Sequence, residues 1–248
     1  MEFGGDSNAL SGGSRAAQFM LLQQAINEVR APKSLLPNDQ RLLTPAGRQA
    51  LLEYLDGRAG PVVFEVNRAA DIRQIIAFAR REKLRAVIKG GVEAWRVAPE
   101  LAAAHIPVLL NPLDDLPADF DAVGATLDNA ARLNHAGVQI GFSLDDSQPH
   151  NIRKVRQTAG IAAAHGLPVE AALAALTSSP AEIFGVADTN GSLARGRPAD
   201  LVLWSGDPLE VTSLADRVFI AGQSQTMQSR QTLLRDRYLE KLRAHAAR

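Results

Sequence analysis

Cysteine is absent from the 248-residue sequence, which excludes disulfides, thiolate metal ligands and a cysteine nucleophile. The absence of cysteine does not choose between cytoplasm and periplasm. No apolar run approaches the roughly 18–20 residues of a membrane span, and the first residues lack the basic and apolar regions of a secretory signal. Basic and acidic residues balance at 27 each, without the excess of positive charge typical of nucleic-acid binders. We therefore expect neither a membrane nor a nucleic-acid partner.

The composition is that of an ordinary globular protein, with 46% hydrophobic and 22% charged residues. A chain of this length forms one large domain or two small ones with a sizeable core. The opening stretch, residues 1–14, is rich in glycine and serine and resembles a loop inside a longer protein. This composition favours the expectation that the sequence is a piece of a longer protein.

Short apolar runs alternate with amphipathic segments through the middle of the chain. The runs are PVVFEV (61–66), LRAVI (84–88), IPVLL (106–110) and VQIGF (138–142), and the segments between them span 70–82, 93–104 and 122–135. Nearly continuous apolar runs are typical of strands that are buried on both faces. Their alternation with helices predicts βαβ units and a parallel sheet.

The pattern changes on both sides of this region. Helical spacing or capping signals also predict helices at 14–30, 45–55, 152–164, 168–176 and 180–184. Three strands follow without helices between them, at 200–204, 217–221 and 224–227, and a charged helix closes the chain. We therefore predict an α/β segment over 1–190, a small β segment over 191–228 and a terminal helix over 229–248.

Asp145 is the strongest candidate for chemistry because it lies just past the end of the fourth predicted strand. The active site of a parallel α/β barrel lies at the carboxyl ends of its strands. A carboxylate there could ligate a divalent metal or take a proton from a metal-bound water, or it could cap a loop or helix. His150 is the histidine nearest to Asp145, and it either reaches the barrel mouth or lies on the surface. Together they fall short of the three protein ligands usual for a catalytic zinc.

Two segments carry a resemblance to a known family. GVQIGFSLD (137–145) and GSLARGRPADL (191–201) resemble the eighth barrel strand and the return to the small β-sandwich in the amidohydrolase superfamily. NRAADI (67–72) and GGVEAW (90–95) resemble the segments after strands five and six of its imidazolonepropionase-related branch. The resemblance covers nearly the whole chain but only the C-terminal half of a member. It implies a partial (β/α)8 TIM-type barrel, about strands five to eight, with part of an appended β-sandwich and a C-terminal helix.

The resemblance also implies a chemistry, which is the metal-dependent (zinc) hydrolysis of a C–N bond in an amide, cyclic amide or peptide-like substrate. It makes Asp145 the catalytic aspartate. This sequence departs from the family because it contains no His-x-His, and Glu65 and Lys89 stand where histidines are expected after strands five and six. We therefore expect this chain to bind no metal and to be inactive alone.

Glu65 and Lys89 permit two interpretations. They form an ion pair that neutralises a former pocket, or they form an altered site with Glu65 as ligand or base and Lys89 as an anion anchor. In the second case the resemblance and position predict that Glu65, Asn67, Lys89 and His150 contact a small-molecule substrate. An alternative function is that of a non-catalytic, barrel-derived protein that binds a ligand or a partner chain.

Half a barrel would leave two open strand edges and unpaired inward side chains. The sequence therefore predicts either that it is a truncated piece of a longer protein or that a second chain completes the barrel. This chain is either an N-terminal half or a second copy in a homo-oligomer.

Overall fold

The computed structural model describes residues 3, 11–31, 37, 40–114, 116–117, 119–144, 152 and 154–246. The chain divides into two compact units, Met1–Ser192 and Leu193–Arg248. The three-part division predicted from the sequence stays a prediction. In the described part of the chain, no helix combines the length and the apolar character that crossing a membrane requires.

The described part of the first unit contains four parallel strands in the order β1-β2-β3-β4. They are β1 (Val62–Val66), β2 (Ala86–Gly90), β3 (Val108–Leu110) and β4 (Ile140–Phe142). The structure thus confirms the predicted α/β class and the parallel sheet. Glu65 pairs with Lys89, Lys89 with Leu109, and Leu109 with Gly141, so one line of register crosses the whole sheet.

Helices surround this sheet at the positions that the sequence pattern indicates. In chain order they are α1 (Arg15–Arg30), α2 (Pro45–Leu55), α3 (Ala69–Glu82), α4 (Ala98–Ala103), α5 (Asn129–His135), α6 (Val155–Ala164), α7 (Val169–Leu176) and α8 (Ser178–Phe184). The first two begin at side-chain caps. The hydroxyl of Ser14 accepts from Ala17 N–H at 3.3 Å, and that of Thr44 accepts from Gly47 N–H at 3.1 Å.

Two helices differ from the sequence prediction. The predicted helix 93–104 is a 3-10 turn, Ala94–Val97, followed by the short α4 with proline in its first turn. The predicted helix 122–135 begins only at Asn129, because Gly124 donates its N–H to the Glu93 carboxylate instead of entering a helical ladder. The bond between Glu93 and Gly124 is therefore the physical reason for the late start of α5.

Alternation along the strands gives the sheet two different faces. One face contributes Phe64, Val66, Ile88, Val108 and Leu110, all buried, and α3 contributes the buried Ile72 and Ile75. On the other face Val87 and Leu109 pack against Ile183 of α8, so we call it the α8 face.

Helix α8 is held against the amino ends of the strands. Arg85 donates to the Ile183 carbonyl at 2.7 Å, and the Gln139 amide donates to Glu182 at 2.6 Å. Gly141 permits the close approach, since a Cβ there would lie 2.8 Å from Leu109 Cδ2 and 3.4 Å from Pro180 Cγ. Glu65 and Lys89 are two residues after Val63 and Val87, so they lie on the same face, nearer the carboxyl ends of β1 and β2.

The second unit contains an antiparallel sheet in the order β5-β6-β7, followed by α9. The elements are β5 (Leu201–Trp204), β6 (Ala215–Ile220), β7 (Gln223–Ser224) and α9 (Arg230–Ala246). Asp200 Oδ1 accepts from Ala221 N–H at 2.7 Å, and Gly222 N–H donates to Ala199 O at 3.1 Å. These bonds fasten the turn between β6 and β7 to the start of β5.

Candidate functional site

Glu65 and Lys89 form an ion pair at the carboxyl ends of β1 and β2. They are direct register partners, and Lys89 Nζ lies 3.3 Å from Glu65 Oε2. The Lys89 side chain is 17% exposed and that of Glu65 46% exposed. A mostly buried lysine side chain therefore faces a half-exposed carboxylate at the carboxyl ends of the strands, where parallel α/β folds place their sites.

Asn67 lies beside this pair, directly after β1. Its carbonyl accepts from Glu93 N–H at 3.0 Å. Its Oδ1 is buried and, among the residues that the structure describes, receives no hydrogen bond. Gly90 faces it with φ +85°, and a Cβ at that position would collide with Asn67 Oδ1. The Gly90-Gly91 pair is therefore a tight turn after β2 that leaves space for the Asn67 amide.

Asp145 and His150 lie outside the described residues. The chain is described as far as Leu144, and Ser143 N–H donates to Leu110 O at 2.9 Å. The ladder between β3 and β4 therefore continues to the carboxyl edge. The roles predicted for Asp145 and His150 stay predictions.

Glu93 was not singled out from the sequence, yet its buried carboxylate joins three loops at this edge. Oε2 accepts from Ala69 N–H at 3.0 Å, and Oε1 accepts from Gly124 N–H at 2.9 Å. Arg96 Nε lies 4.0 Å from Oε1. Glu93 thus fixes the loops that follow β1, β2 and β3. In the sequence it resembles a carboxylate in the first turn of a helix, so no signal marked these distant contacts.

Asn129 supports the same loops from the start of α5. Its amide donates to Gly91 O at 2.9 Å and accepts from Trp95 N–H at 3.1 Å. The Trp95 indole N–H donates to Gly124 O at 2.8 Å. These bonds make Trp95 a packing residue of the loop cluster.

Charged side chains lie on the outer side of this cluster. The Trp95 ring contacts the guanidinium groups of Arg96 and Arg132, 4.9 Å and 4.4 Å from the ring centroid. Arg132 also pairs with Asp128 at 2.7 Å. A hydrogen bond from the Thr126 hydroxyl lowers the pKa of Asp128, and Arg132 adds to this effect while burial opposes it. The Asp128 carboxylate therefore stays ionised to a lower pH than an ordinary aspartate.

The described side chains do not fit a catalytic metal. Within the described ranges, no three His, Cys, Asp or Glu side chains are grouped so as to hold an ion. A catalytic zinc usually takes three protein ligands. Beside the Glu65 carboxylate lies the Lys89 ammonium, whose charge repels a divalent cation.

Residues 70–229 match the family described as "Amidohydrolase family". The chain belongs to the amidohydrolase family. The amidohydrolase from Thermotoga maritima MSB8 is a solved relative with a TM-score of 0.80 and 26% identity, over 92% of this chain and 62% of that chain. "Amidohydrolase tasK" from Hapsidospora irregularis is 41% identical over 61 residues, which are 25% of this chain and 6% of that protein.

A more distant solved structure shares the fold. An adenosine deaminase from Xanthomonas campestris, solved with bound zinc, superposes with a TM-score of 0.52 at 19% identity, over 79% of this chain and 53% of that chain. This amidohydrolase-family chain thus spans less than two thirds of the length of either solved relative. The amidohydrolase membership predicted from the sequence is confirmed.

Proposed function

We propose that this chain forms strands five to eight of an amidohydrolase-type (β/α)8 barrel from the imidazolonepropionase-related branch. The reaction of the complete barrel is then hydrolysis of a C–N bond in an amide, cyclic amide or peptide-like substrate. Four parallel strands in chain order support this assignment. So does the match to the Thermotoga maritima amidohydrolase, which takes in most of this chain and 62% of that one.

We also propose that the chain has no hydrolytic activity by itself, and the Glu65–Lys89 ion pair is the observation that supports this proposal. By the family resemblance, these two strand ends are the places of metal-binding histidines. Here they hold a carboxylate and an ammonium 3.3 Å apart. Asp145 is then a remaining catalytic residue of a degenerate site, and Glu65, Asn67, Lys89 and His150 contact the substrate.

A second polypeptide segment completes the barrel in this proposal. In the described sheet β1 and β4 are the edge strands. Edge strands present unpaired backbone groups, and a barrel removes them by closing the sheet. The completing partner is an N-terminal half or a second copy of this chain.

Ligand binding without catalysis is the second candidate function, and the same site favours it. The mostly buried Lys89 side chain ends in an ammonium beside Glu65, and the Asn67 amide lies directly after β1. Such groups orient a small polar ligand in a pocket. A ligand with a carboxylate fits the Lys89 ammonium.

Hydrolysis assays test the proposed inactivity of the chain by itself. We expect the purified chain, supplied with zinc, to show no turnover of N-acyl amino acids, hydantoins or dipeptides above the buffer rate. Turnover that disappears in Asp145→Ala would contradict the proposed inactivity.

Isothermal titration with N-acetyl amino acids tests the binding function. If that function is correct, Lys89→Met weakens binding by about tenfold or more, because it removes a charged hydrogen-bond donor. The control Lys154→Met changes an exposed lysine and leaves the affinity unchanged. Absence of binding to the parent chain, or equal loss in both variants, would refute the binding function.

A further inference from the structure

The outer edge of β1 is the side of the strand that faces away from β2. Val62 N–H donates to Arg85 O and Gly91 N–H donates to Val66 O, each at 2.8 Å, so these residues face β2. Backbone groups alternate in direction along a strand. The backbone groups of Val63 and Glu65 therefore face away from β2, toward the edge where a further strand would pair.

Phe3 lies at this outer edge. Its N–H donates to the Glu65 carbonyl at 2.7 Å, which is the kind of bond that a neighbouring strand would make. The Phe3 side chain is buried, with 8% of the residue exposed. Its ring centroid lies 5.9 Å from that of Phe64 and 4.8 Å from that of Phe19.

These ring contacts connect the edge of the sheet to two helices. Phe19 belongs to α1 and lies 6.1 Å from Phe78 of α3. Four of the eight phenylalanines of the chain thus form one continuous series, Phe64, Phe3, Phe19 and Phe78. Both the backbone and the ring of Phe3 are therefore fixed at the edge of β1.

We infer that Phe3 is the anchor of an intramolecular cap on the β1 edge, and that the cap blocks pairing of this edge with a strand of a second copy of the chain. Proteins cover strand edges because an open edge pairs with other chains. The sequence of β1, VVFEV, is rich in residues that favour strands. The inference goes beyond the proposed function because it concerns the chain by itself, and any strand that completes the barrel at β1 must displace the cap.

Replacement of the ring tests the cap on the full chain. Phe3→Ala removes the aromatic contacts and keeps the backbone N–H. The matched control is Phe120→Ala, since Phe120 is 94% exposed. Hydrogen exchange is read for the peptides that cover β1 and β3, and molar mass is read by light scattering over a range of concentrations.

For Phe3→Ala we expect exchange in β1 to become about tenfold faster or more, because truncation of a buried phenylalanine removes the ring contacts that cover this edge. We also expect molar mass to rise with concentration as β1 edges pair. Phe120→Ala should match the parent in both measurements. Unchanged exchange in β1 and unchanged mass in Phe3→Ala would overturn the inference.

A second variant distinguishes loss of the cap from general unfolding of the first unit. If Phe3→Ala also speeds hydrogen exchange in β3, the Phe3→Leu variant makes this distinction. Leucine keeps an apolar contact at the same place and should disturb the core less. Faster exchange confined to β1 in Phe3→Leu supports the cap, and equal loss in β1 and β3 overturns it. Neither zinc nor substrate enters these measurements, so their outcome is separate from that of the hydrolysis assays.

Discussion

Gly191→Ala is expected to lower the free energy of unfolding of the first unit by about 2–5 kcal/mol. Gly191 has φ +86°, a conformation that costs an L-residue energy. A Cβ there would also lie 2.6 Å from Ala181 Cβ and 2.8 Å from Thr177 O. Because both contacts are at α8, the helix that covers the α8 face would have to shift. Urea denaturation followed by far-UV circular dichroism measures the loss.

Gly137→Ala is the matched control for this substitution. Gly137 has a similar φ of +81°, but a Cβ at that position meets nothing within 4 Å. We therefore expect only the backbone strain, about 1–2 kcal/mol. An equal loss in the two variants would mean that the close approach of residue 191 to α8 is not what requires glycine.

Glu93→Ala is expected to lower the free energy of unfolding by about 3 kcal/mol. The substitution leaves the Ala69 and Gly124 N–H groups without the carboxylate that now accepts from both. A buried donor without a partner costs about 1–3 kcal/mol. Urea denaturation measures the loss, and hydrogen exchange at Ala69 and Gly124 locates it in the loops after β1 and β3.

Glu100→Ala is the control, because it removes an exposed carboxylate in place of a buried one. Glu100 is paired with Arg73 at 2.9 Å, and both side chains are largely exposed. Exposed ion pairs contribute about 1 kcal/mol or less, so we expect a small change. Glu93→Gln keeps one acceptor and should fall between the two. A loss in Glu93→Ala no larger than in Glu100→Ala would contradict the role of Glu93 in joining the loops.

Local patterns were enough to predict most of the first unit. Three of the four strands lie within their predicted apolar runs, because residues buried on both faces leave a continuous signal in the sequence. The strand β2 begins inside its run, 84–88, and continues two residues beyond it to Gly90. Ser14 and Thr44 mark the starts of α1 and α2, because capping acts within one turn. The late start of α5 was not predictable, since it depends on a bond between Glu93 and Gly124, 31 residues apart.

The candidate site was predictable only in part. Glu65 and Lys89 each precede the last residue of a strand, and adjacent parallel strands bring such positions together. The buried Asn67 oxygen and the contacts of Glu93 and Asn129 depend on how loops fold over one another. No periodicity or family motif in this sequence encodes those contacts, which is why they emerged only from the structure.

Zinc content is the measurement that tests the central claim most directly. The Lys89 ammonium, paired with Glu65, stands at a strand end where the family resemblance places a metal-binding histidine. Chain dialysed against excess zinc and then desalted should therefore retain far less than stoichiometric zinc, and Asp145→Ala should retain the same amount. Stoichiometric zinc in the parent chain that is lost in Asp145→Ala would contradict the claim and show a functioning metal site.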